Sequence, residues 1–226
     1  IAQVKFHEKI RNKKYIKKYI HFTTPEVYGS TSSLINENFN FSPSTPYATS
    51  RAACDLHLMT FFKAYNFPVI FTRAANVYGA HQQMFRIVPK TFFSILNNSK
   101  FTLHGGGKSV RSFIHINDVC QATYQICLKG RIGQTYHIST DENIKIIDLI
   151  KKICKITNSQ FKDIVSIGKD RMGKDQAYLL SNKKITKELN WNANISLDEG
   201  LQQTLHWVST NFNVLSKEDL NYKHKV

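Results

Sequence analysis

The sequence predicts an α/β fold in which a parallel β-sheet is joined to a smaller α/β lobe. Runs of β-branched and aromatic residues alternate with segments of helical spacing along most of the chain, which is typical of a parallel sheet with helical connections. The chain has 226 residues, of which 42% are hydrophobic and 12% aromatic, so it can bury a substantial core. No long internal repeat is present to indicate a solenoid or a propeller.

Local signals place four elements in the first part of the chain. An apolar run reaches Thr24 and meets Pro25, which suits a short buried strand that ends in a turn. The hydroxyl of Thr45 can cap a helix, because Pro46 after it is suited to a first helical turn. The β-branched and aromatic run at 69–73 indicates another strand. The elements expected in this part are a helix at 2–18, a strand ending at residue 24, a helix at 47–66 and a strand at 69–73.

The rest of the chain predicts further alternation and a second lobe. Residues 143–155 have the apolar spacing of an amphipathic helix. The other expected elements are helices at 88–97, 118–128, 183–189 and 197–208, and strands at 101–103, 112–116 and 135–139. We expect residues 1–85 to form part of the first sheet unit and residues 86–226 to form mainly the second lobe. The strand near 135–139 is expected to return to the first sheet.

The chain is strongly basic, with 31 Lys and Arg against 16 Asp and Glu and a formal net charge of +15. Its apolar content excludes a disordered basic tail. The charge leaves open a nucleic-acid-binding protein, whose lysines and arginines would contact phosphates. The lysines are scattered without one basic helix or an interleaved aromatic motif, so nucleic acid is not the partner that we expect.

Targeting, membrane and metal signals give a consistent expectation. No run approaches the ~18 apolar residues of a membrane span, and residues 1–10 lack the features of a signal peptide. The four cysteines form no Cys-x-x-Cys pair and have no histidine at metal-ligand spacing. We expect a cytoplasmic protein with reduced thiols, no metal site and no membrane partner. Because residue 1 is isoleucine rather than methionine, we also expect the chain to begin partway through a longer protein.

Two polar groups on the predicted helix at 47–66 are candidates for chemistry. Tyr47 and Arg51 stand at positions i and i+4 and share one helical face. A free tyrosine has a pKa of ~10, so its use as a base requires a neighbour that favours the phenolate, and a fixed cation supplies part of that effect. An amphipathic helix with a solvent-facing arginine and a half-buried tyrosine explains the same spacing.

A hydroxyl and a carboxylate follow the first predicted strand. Thr24 and Glu26 lie at its carboxyl end, where open α/β sheets bind their ligands, and a general base needs such a position. A simple turn with a surface glutamate also fits this segment. The tripeptide Val-Tyr-Gly occurs after two of the strands, at 27–29 and 77–79, which is consistent with two turns at one ligand-binding edge.

Taken together, the motifs resemble the extended short-chain dehydrogenase/reductase superfamily. Within it, the chain is most similar to the NAD-dependent nucleotide-sugar 4,6-dehydratases and epimerases, the dTDP-glucose 4,6-dehydratases in particular. The resemblance covers nearly all of the chain, and the order of the motifs makes it specific. The motifs are 21–29 (HFTTPEVYG), Tyr47-x-x-x-Arg51, 73–79 (RAANVYG), 107–118 (GKSVRSFIHIND), 135–139 (TYHIS), 170–175 (DRMGKD) and 197–201 (LDEGL).

The resemblance implies a C-terminal part of a Rossmann-type NAD-binding sheet in residues 1–85, a smaller substrate-binding lobe in residues 86–226, and a role for each matched residue. Tyr47 matches the base that deprotonates the sugar C4 hydroxyl while hydride passes to NAD, and Thr24 matches the hydroxyl that binds the same oxygen. Glu26 matches the carboxylate that removes the C5 proton before water leaves C6. The positions that match the cofactor-binding pair are Tyr47 and Arg51, and those that match the holders of the nucleotide diphosphate are Asn76, Arg111 and Arg171.

Two positions depart from the family pattern. The usual lysine four residues after the tyrosine is Arg51, which keeps the charge but not the compact donor that reaches the nicotinamide ribose. The dTDP-glucose enzymes have an aspartate, which protonates the leaving hydroxyl, where this chain has Pro25. GDP-mannose 4,6-dehydratases resemble the chain in keeping Thr and Glu without that aspartate. The resemblance thus implies dehydration and leaves the nucleotide base open.

The glycine-rich pyrophosphate turn of the family is absent. No Gly-x-Gly-x-x-Gly occurs among the ten glycines, and the run at 105–107 opens no predicted helix. We therefore expect a fragment of a nucleotide-sugar 4,6-dehydratase that lacks the first part of its NAD-binding half, is inactive alone, and forms a homodimer when full length. A nucleotide-sugar epimerase or decarboxylase, with Glu26 only orienting the substrate, stays the alternative.

Overall fold

A computed structural model describes residues 2–169 and 176–220 of the chain. The helices are α1 (Ala2–Ile10), α2 (Pro46–Tyr65), α3 (Ile87–Leu96), α4 (Ile116–Lys129), α5 (Ile146–Ile156), α6 (Phe161–Ile164), α7 (Lys183–Leu189), α8 (Leu197–Thr210) and α9 (Phe212–Leu215). The strands are β1 (Tyr19–Thr23), β2 (Leu34–Ile35), β3 (Val69–Ala74), β4 (Asn76–Tyr78), β5 (Phe101–His104), β6 (Val110–His115), β7 (Thr135–Ile138), β8 (Asn143–Lys145), β9 (Val165–Gly168) and β10 (Leu179–Leu180). Short 3₁₀ turns cover Pro25–Tyr28 and Gly105–Gly107.

A parallel sheet of order β1-β3-β7 forms the first layer of the fold. Tyr19 pairs with Val69, and Phe71 pairs with Thr135. The central strand β3 is buried along nearly its whole length, as expected for a parallel strand that is covered on both faces. The α/β class that the sequence predicts is therefore confirmed, and β7 does join the first sheet. The proposed boundary at residue 85 stays a prediction.

The other strands in the described ranges form smaller sheets. Strand β4 pairs in parallel with β6, and β6 pairs in antiparallel fashion with β8. Two more parallel pairs join β5 with β9 and β2 with β10, and an isolated parallel bridge links Val110 to Ala177. Because β2 lies soon after β1 while β10 lies beyond β9 in the sequence, their pairing ties the segment after the first strand to a distant part of the chain.

Two predicted helices are shorter than the sequence suggested. Helix α1 ends at Ile10 rather than near residue 18, because a turn at 11–18 leads the chain to Tyr19, whose amide donates to the carbonyl of Pro68 at 2.8 Å. Residues Asn143–Lys145 form strand β8 and the helix begins only at Ile146. Antiparallel pairing with β6 supplies the backbone partners there and outweighs the helical spacing of the side chains.

The capping signal of α2 is confirmed. The side chain of Thr45 accepts a hydrogen bond from the amide of Ala48 at 3.1 Å, and Pro46 occupies the first turn. The helix ends at Asn66, which has a left-handed backbone with φ of 53°. This residue type tolerates that conformation, so the helix stops before Pro68 as the sequence indicates.

Among the described residues, no helix is long and apolar enough to cross a membrane. All four cysteines are free thiols, and no group of three His, Cys, Asp or Glu side chains in the described ranges is arranged to hold a metal.

Phe6 on α1 and Leu56 on α2 are each about half exposed. Pairing of two copies and a cytoplasmic location stay predictions.

Gly200 allows helix α8 to approach strand β4 closely. A Cβ atom at this position would overlap the hydroxyl of Tyr78 and lie 2.8 Å from its Cζ. Tyr78 is only 1% exposed, so its ring has little room to move away. Glycine is therefore required by the packing and not by the helix itself.

Gly200→Ala should destabilise the chain by about 1–3 kcal/mol, the usual cost of overpacking, although alanine favours a helix by about 1 kcal/mol. Urea unfolding measures the change, with the exposed Gln202→Ala on the same helix as the control. Tyr78→Phe in the Gly200→Ala background should recover part of the loss. A Gly200→Ala variant as stable as the control would contradict the packing argument.

His7 is fully buried where α1 meets β1 and α2. Its ring centroid lies 5.8 Å from that of His21 and 5.9 Å from that of His57. Its Nε2 lies 3.3 Å from the hydroxyl of Tyr19. Burial, and then the charges of the neighbouring histidines and Arg51, lower the pKa of His7 from 6.5 to about 4. The folded chain therefore disfavours the protonated imidazole.

This shift makes stability depend on pH. The unfolded chain binds the His7 proton near pH 6.5 and the folded chain only near pH 4, so the contribution is complete above pH 6.5 and declines as the pH falls towards 4. We expect a loss of roughly 2–3 kcal/mol across this window. Urea midpoints should differ less between about pH 7.5 and pH 4.5 in His7→Gln than in the wild type. The exposed His206→Gln is the control, and an unchanged slope in His7→Gln would refute this assignment.

Candidate functional site

The turn after β1 carries the first two candidate residues. Thr24 has extended backbone angles (φ −135°, ψ 145°), and its side chain accepts from the amide of Glu26 at 3.3 Å. Gly29, with φ of 69°, closes the turn by donating its amide to the carbonyl of Glu26 at 3.1 Å. Thr24 is buried and Glu26 is half-buried. The hydroxyl and the carboxylate therefore belong to one hydrogen-bonded turn at the carboxyl end of a parallel strand.

Tyr47 and Arg51 lie in the first half of α2. Tyr47 is in the first turn and 56% exposed, and the positive end of the helix dipole favours negative charge there. Arg51 is half-buried, and its Nη2 donates to the carbonyl of Phe22 on β1. Its Nε is buried, and none of the described residues accepts a hydrogen bond from it. One guanidinium thus joins the helix to the strand and keeps one donor unused.

Helix α2 is fixed against the end of β1. The carboxylate of Asp55 accepts from the Thr23 hydroxyl at 2.9 Å and lies 3.1 Å from Nε2 of His21. Ala52 packs in one apolar cluster with Val27 and Tyr28 of the turn. The structure therefore brings the four predicted catalytic positions to one end of the first sheet, on two elements that are tied together.

A buried arginine extends this connection to β3. Arg73 is fully buried, and its Nη2 donates to Asp55 Oδ2 at 2.8 Å. Its Nη1 donates to the hydroxyl of Tyr28 at 2.7 Å and to the carbonyl of Asn38 at 3.3 Å. Its guanidinium also lies 5.0 Å from the ring centroid of Tyr28. Arg73 therefore contacts both helix α2 and the turn that carries Thr24 and Glu26.

The same network reaches β7 through Tyr28. The Tyr28 hydroxyl lies 2.8 Å from Nε2 of His137, and the His137 amide donates to Glu37 Oε1 at 2.9 Å. Burial, opposed by Arg73, raises the pKa of Tyr28. Burial, followed by the charge of Arg73, lowers the pKa of His137 from 6.5 to about 3, so its imidazole is neutral near pH 7. Burial raises the pKa of Glu37.

Two of the three predicted diphosphate-binding residues lie on the sheet formed by β4, β6 and β8. Asn76 begins β4, and its Oδ1 accepts from the hydroxyl of Tyr178 at 3.3 Å. Arg111 on β6 is 7% exposed, with its guanidinium carbon 4.0 Å from the centroid of the Tyr178 ring. Arg171 lies outside the described residues. Two of the three predicted positions therefore come together around one tyrosine.

Sequence reasoning missed Asp55, Arg73 and Tyr178. Asp55 stands four residues after Arg51 and faces the same strand, and Arg73 opens the motif at 73–79, so both had a signal in spacing or order. Tyr178 had no such signal, because its partners on β4 and β6 are far from it in sequence.

Comparison with known proteins gives one family. The sequence model described as GDP-mannose 4,6 dehydratase matches residues 2–204. The human protein "dTDP-D-glucose 4,6-dehydratase" is 32% identical over 203 residues, which cover 87% of this chain and 58% of the human protein. The chain therefore spans little more than half the length of that relative.

Solved structures agree with the fold. A crystal structure of dTDP-glucose 4,6-dehydratase from Bacillus anthracis in complex with NAD matches with a TM-score of 0.86 and 29% identity, covering 94% of this chain and 68% of that one. UDP-glucuronic acid 4-epimerase from Bacillus cereus, in complex with UDP-glucuronic acid and NAD, matches with a TM-score of 0.87 at 23% identity, covering 92% and 66%. The second match shows a shared fold. Nucleotide-sugar dehydratases and epimerases thus have the same architecture as this chain.

Asp55→Ala should be strongly destabilising, by about 3–5 kcal/mol, because the Arg73 guanidinium would stay buried without its carboxylate. The control is Asp148→Ala, which removes an exposed carboxylate 3.9 Å from Lys151 and should cost under about 0.5 kcal/mol. Asp55→Ala combined with Arg73→Met should be more stable than Asp55→Ala alone, since the orphaned charge is removed. Chemical denaturation compares the four proteins. Equal losses in Asp55→Ala and Asp148→Ala would show that the pair does not anchor the helix.

Proposed function

The chain belongs to the GDP-mannose 4,6-dehydratase family, and we propose that it is the catalytic-helix and substrate-binding part of an NAD-dependent nucleotide-sugar 4,6-dehydratase. One observation carries the proposal. Thr24 and Glu26 share a turn at the carboxyl end of β1, and that strand is bonded to the helix that bears Tyr47 and Arg51. A 4,6-dehydratase needs a base for the sugar C4 hydroxyl and a carboxylate for the C5 proton within one site, and this arrangement offers both.

The substrate class is a nucleoside-diphosphate sugar. Asn76 and Arg111 match the family positions that hold the diphosphate, and they lie on the neighbouring strands β4 and β6. A guanidinium is well suited to this work because it forms charge-assisted, bidentate hydrogen bonds with phosphate oxygens. Arg171, in the motif at 170–175, is proposed as a third contact on sequence alone.

The proposed cofactor is NAD, and the fit rests on Arg51. Its buried Nε is a donor with no partner among the described residues, beside the carboxyl end of β1, and a ribose hydroxyl is an acceptor that would satisfy it. Tyr47 and Arg51 are the residues that would hold the nicotinamide end. NAD supplies the acceptor and later the donor of a hydride when it is bound. No glycine-rich pyrophosphate turn occurs in this sequence, so the proposal for this chain covers only the nicotinamide end of the dinucleotide.

Tyr47 and Thr24 act on the C4 oxygen of the sugar. Tyr47, in the first turn of α2, takes the proton of the C4 hydroxyl as a general base. Thr24 holds the same oxygen by a hydrogen bond, and its own orientation is set by the Glu26 amide that it accepts from. These two residues therefore orient the sugar for loss of its C4 hydrogen.

Glu26 makes the reaction an elimination. A ketone at C4 acidifies the C5 proton, the Glu26 carboxylate accepts that proton, and the C6 hydroxyl leaves as water. Pro25 has no proton to give, so the proton for the leaving hydroxyl comes from another group. An epimerase needs no such carboxylate, which is why Glu26 favours the dehydratase over the alternative.

The test uses the natural gene product that contains this chain. It is incubated with NAD and dTDP-, GDP-, UDP- and CDP-hexoses, and mass spectrometry follows the sugars. We expect one nucleotide sugar to lose one molecule of water. Tyr47→Phe should slow this loss by about 10²–10⁴-fold, as expected for removal of a general base.

Glu26→Gln separates the two enzyme classes. This variant should lose dehydration while it retains C4 oxidation, seen as NADH absorbance, and the exposed Glu142→Gln should behave like the wild type. Unchanged mass with inverted sugar stereochemistry would establish an epimerase and overturn the dehydratase assignment.

A further inference from the structure

Tyr178 lies at the point where three separate parts of the chain meet. Its hydroxyl donates to Oδ1 of Asn76 at 3.3 Å, and the guanidinium carbon of Arg111 lies 4.0 Å from the centroid of its ring. Asn76 begins β4, Arg111 lies on β6, and Tyr178 immediately precedes β10. One side chain thus contacts both described residues that are proposed to hold the substrate diphosphate.

The backbone around Tyr178 is fixed from two sides. The amide of Val110 donates to the carbonyl of Gln176 at 2.9 Å, which attaches the segment to β6. On the other side, the amide of Thr31 donates to the carbonyl of Ala177 at 2.8 Å, and the amide of Leu179 donates to Thr31 Oγ1 at 2.9 Å. The phenol is therefore presented from a firmly held segment.

The hydrogen bond to Asn76 determines which end of its amide can meet a ligand. An asparagine side chain has an acceptor oxygen and a donor nitrogen, and an anion requires the donor. Because the Tyr178 hydroxyl occupies the oxygen, the Nδ2 group is the end left to donate. None of the described residues accepts a hydrogen bond from it. Tyr178 thus selects the amide orientation that suits a phosphate oxygen.

The ring of Tyr178 holds the second group. The Arg111 guanidinium stacks on it, while Nη1 donates to the carbonyl of Val110 at 2.7 Å and to that of Gln176 at 3.0 Å. A cation over an aromatic face is stabilised by the ring quadrupole, and the two carbonyls restrict rotation about the side chain. Arg111 is therefore set in one place beside the oriented amide.

We propose that Tyr178 is a positioning residue for the diphosphate of the nucleotide sugar: it orients the Asn76 amide through its hydroxyl and the Arg111 guanidinium through its ring. The inference rests on the proposed function, because it takes the diphosphate to bind between Asn76 and Arg111. The proposal adds Tyr178, from a distant segment, to that site and gives its hydroxyl and its ring separate roles.

Binding of UDP, dTDP, GDP and CDP to the gene product, measured by isothermal titration calorimetry, tests the proposal. Tyr178→Phe keeps the ring and should weaken the best nucleoside diphosphate about 3–10-fold, the effect of one lost hydrogen bond. Tyr178→Leu removes the ring as well and should weaken it further, by roughly another 3–10-fold. Tyr124→Phe, which alters an exposed tyrosine on α4, should bind like the wild type.

A double-mutant cycle separates positioning from a general structural effect. In an Asn76→Ala background, Tyr178→Phe should have little further effect on the Kd, because the hydroxyl no longer has an amide to orient. An equal loss in both backgrounds would overturn the positioning role. If the wild type binds a nucleoside diphosphate and Tyr178→Phe binds it equally well, the proposed role of Tyr178 is wrong, while the proposed function stands. If the wild type binds none of the four, the proposed function fails with it.

Discussion

The ion pair between Arg73 and Asp55 is the constraint on which the first sheet and its candidate site depend. Both side chains are fully buried, and burying two charges is costly unless each is paired and hydrogen-bonded. Thr23 and His21 contact the carboxylate of Asp55, and Tyr28 contacts the guanidinium of Arg73. Removing either charged side chain would leave the other buried without its ionic partner. The fold therefore holds the two charges together, although Nε of Arg73 is buried without a hydrogen-bond partner among the described residues.

This buried pair fixes how the elements of the candidate site lie relative to one another. The pair joins α2 to β3, the Thr23 bond joins α2 to β1, and the Tyr28 bond joins β3 to the turn of Glu26. Sliding the helix by one residue would move it about 1.5 Å along its axis and break these bonds together. The position of Tyr47 relative to Thr24 is thus set by the contacts of Asp55, which lies about two helical turns after Tyr47 on α2. Tyr28 carries the same network to β7 through His137, so all three strands of the sheet contribute.

The sequence predicted those parts of the molecule that local chemistry decides. Helix α2 was predicted closely because Thr45 and Pro46 define its start, and β1 and β3 because apolar runs meet prolines or turns. Residues 143–145 were assigned to a helix because pairing with β6 is a long-range contact that their spacing does not reveal. The candidate site shows the same division. The candidate residues at strand ends and helix starts could be predicted from the sequence. The contacts of Tyr178 could not, because they are made to residues on β4 and β6 that come close only in the folded chain.

The arginine at position 51 is consistent with this scaffold and is not a simple exchange for the family's lysine. A guanidinium has several donors on a planar fork, whereas an ammonium is one point charge. In this chain Nη2 bonds the Phe22 carbonyl and ties α2 to β1, while Nε stays buried beside the strand end. A lysine at this position could not place two donors in those directions at once. Arg51 therefore combines a structural bond to the strand with a buried donor that has no partner among the described residues, on the same helix that Asp55 holds in place.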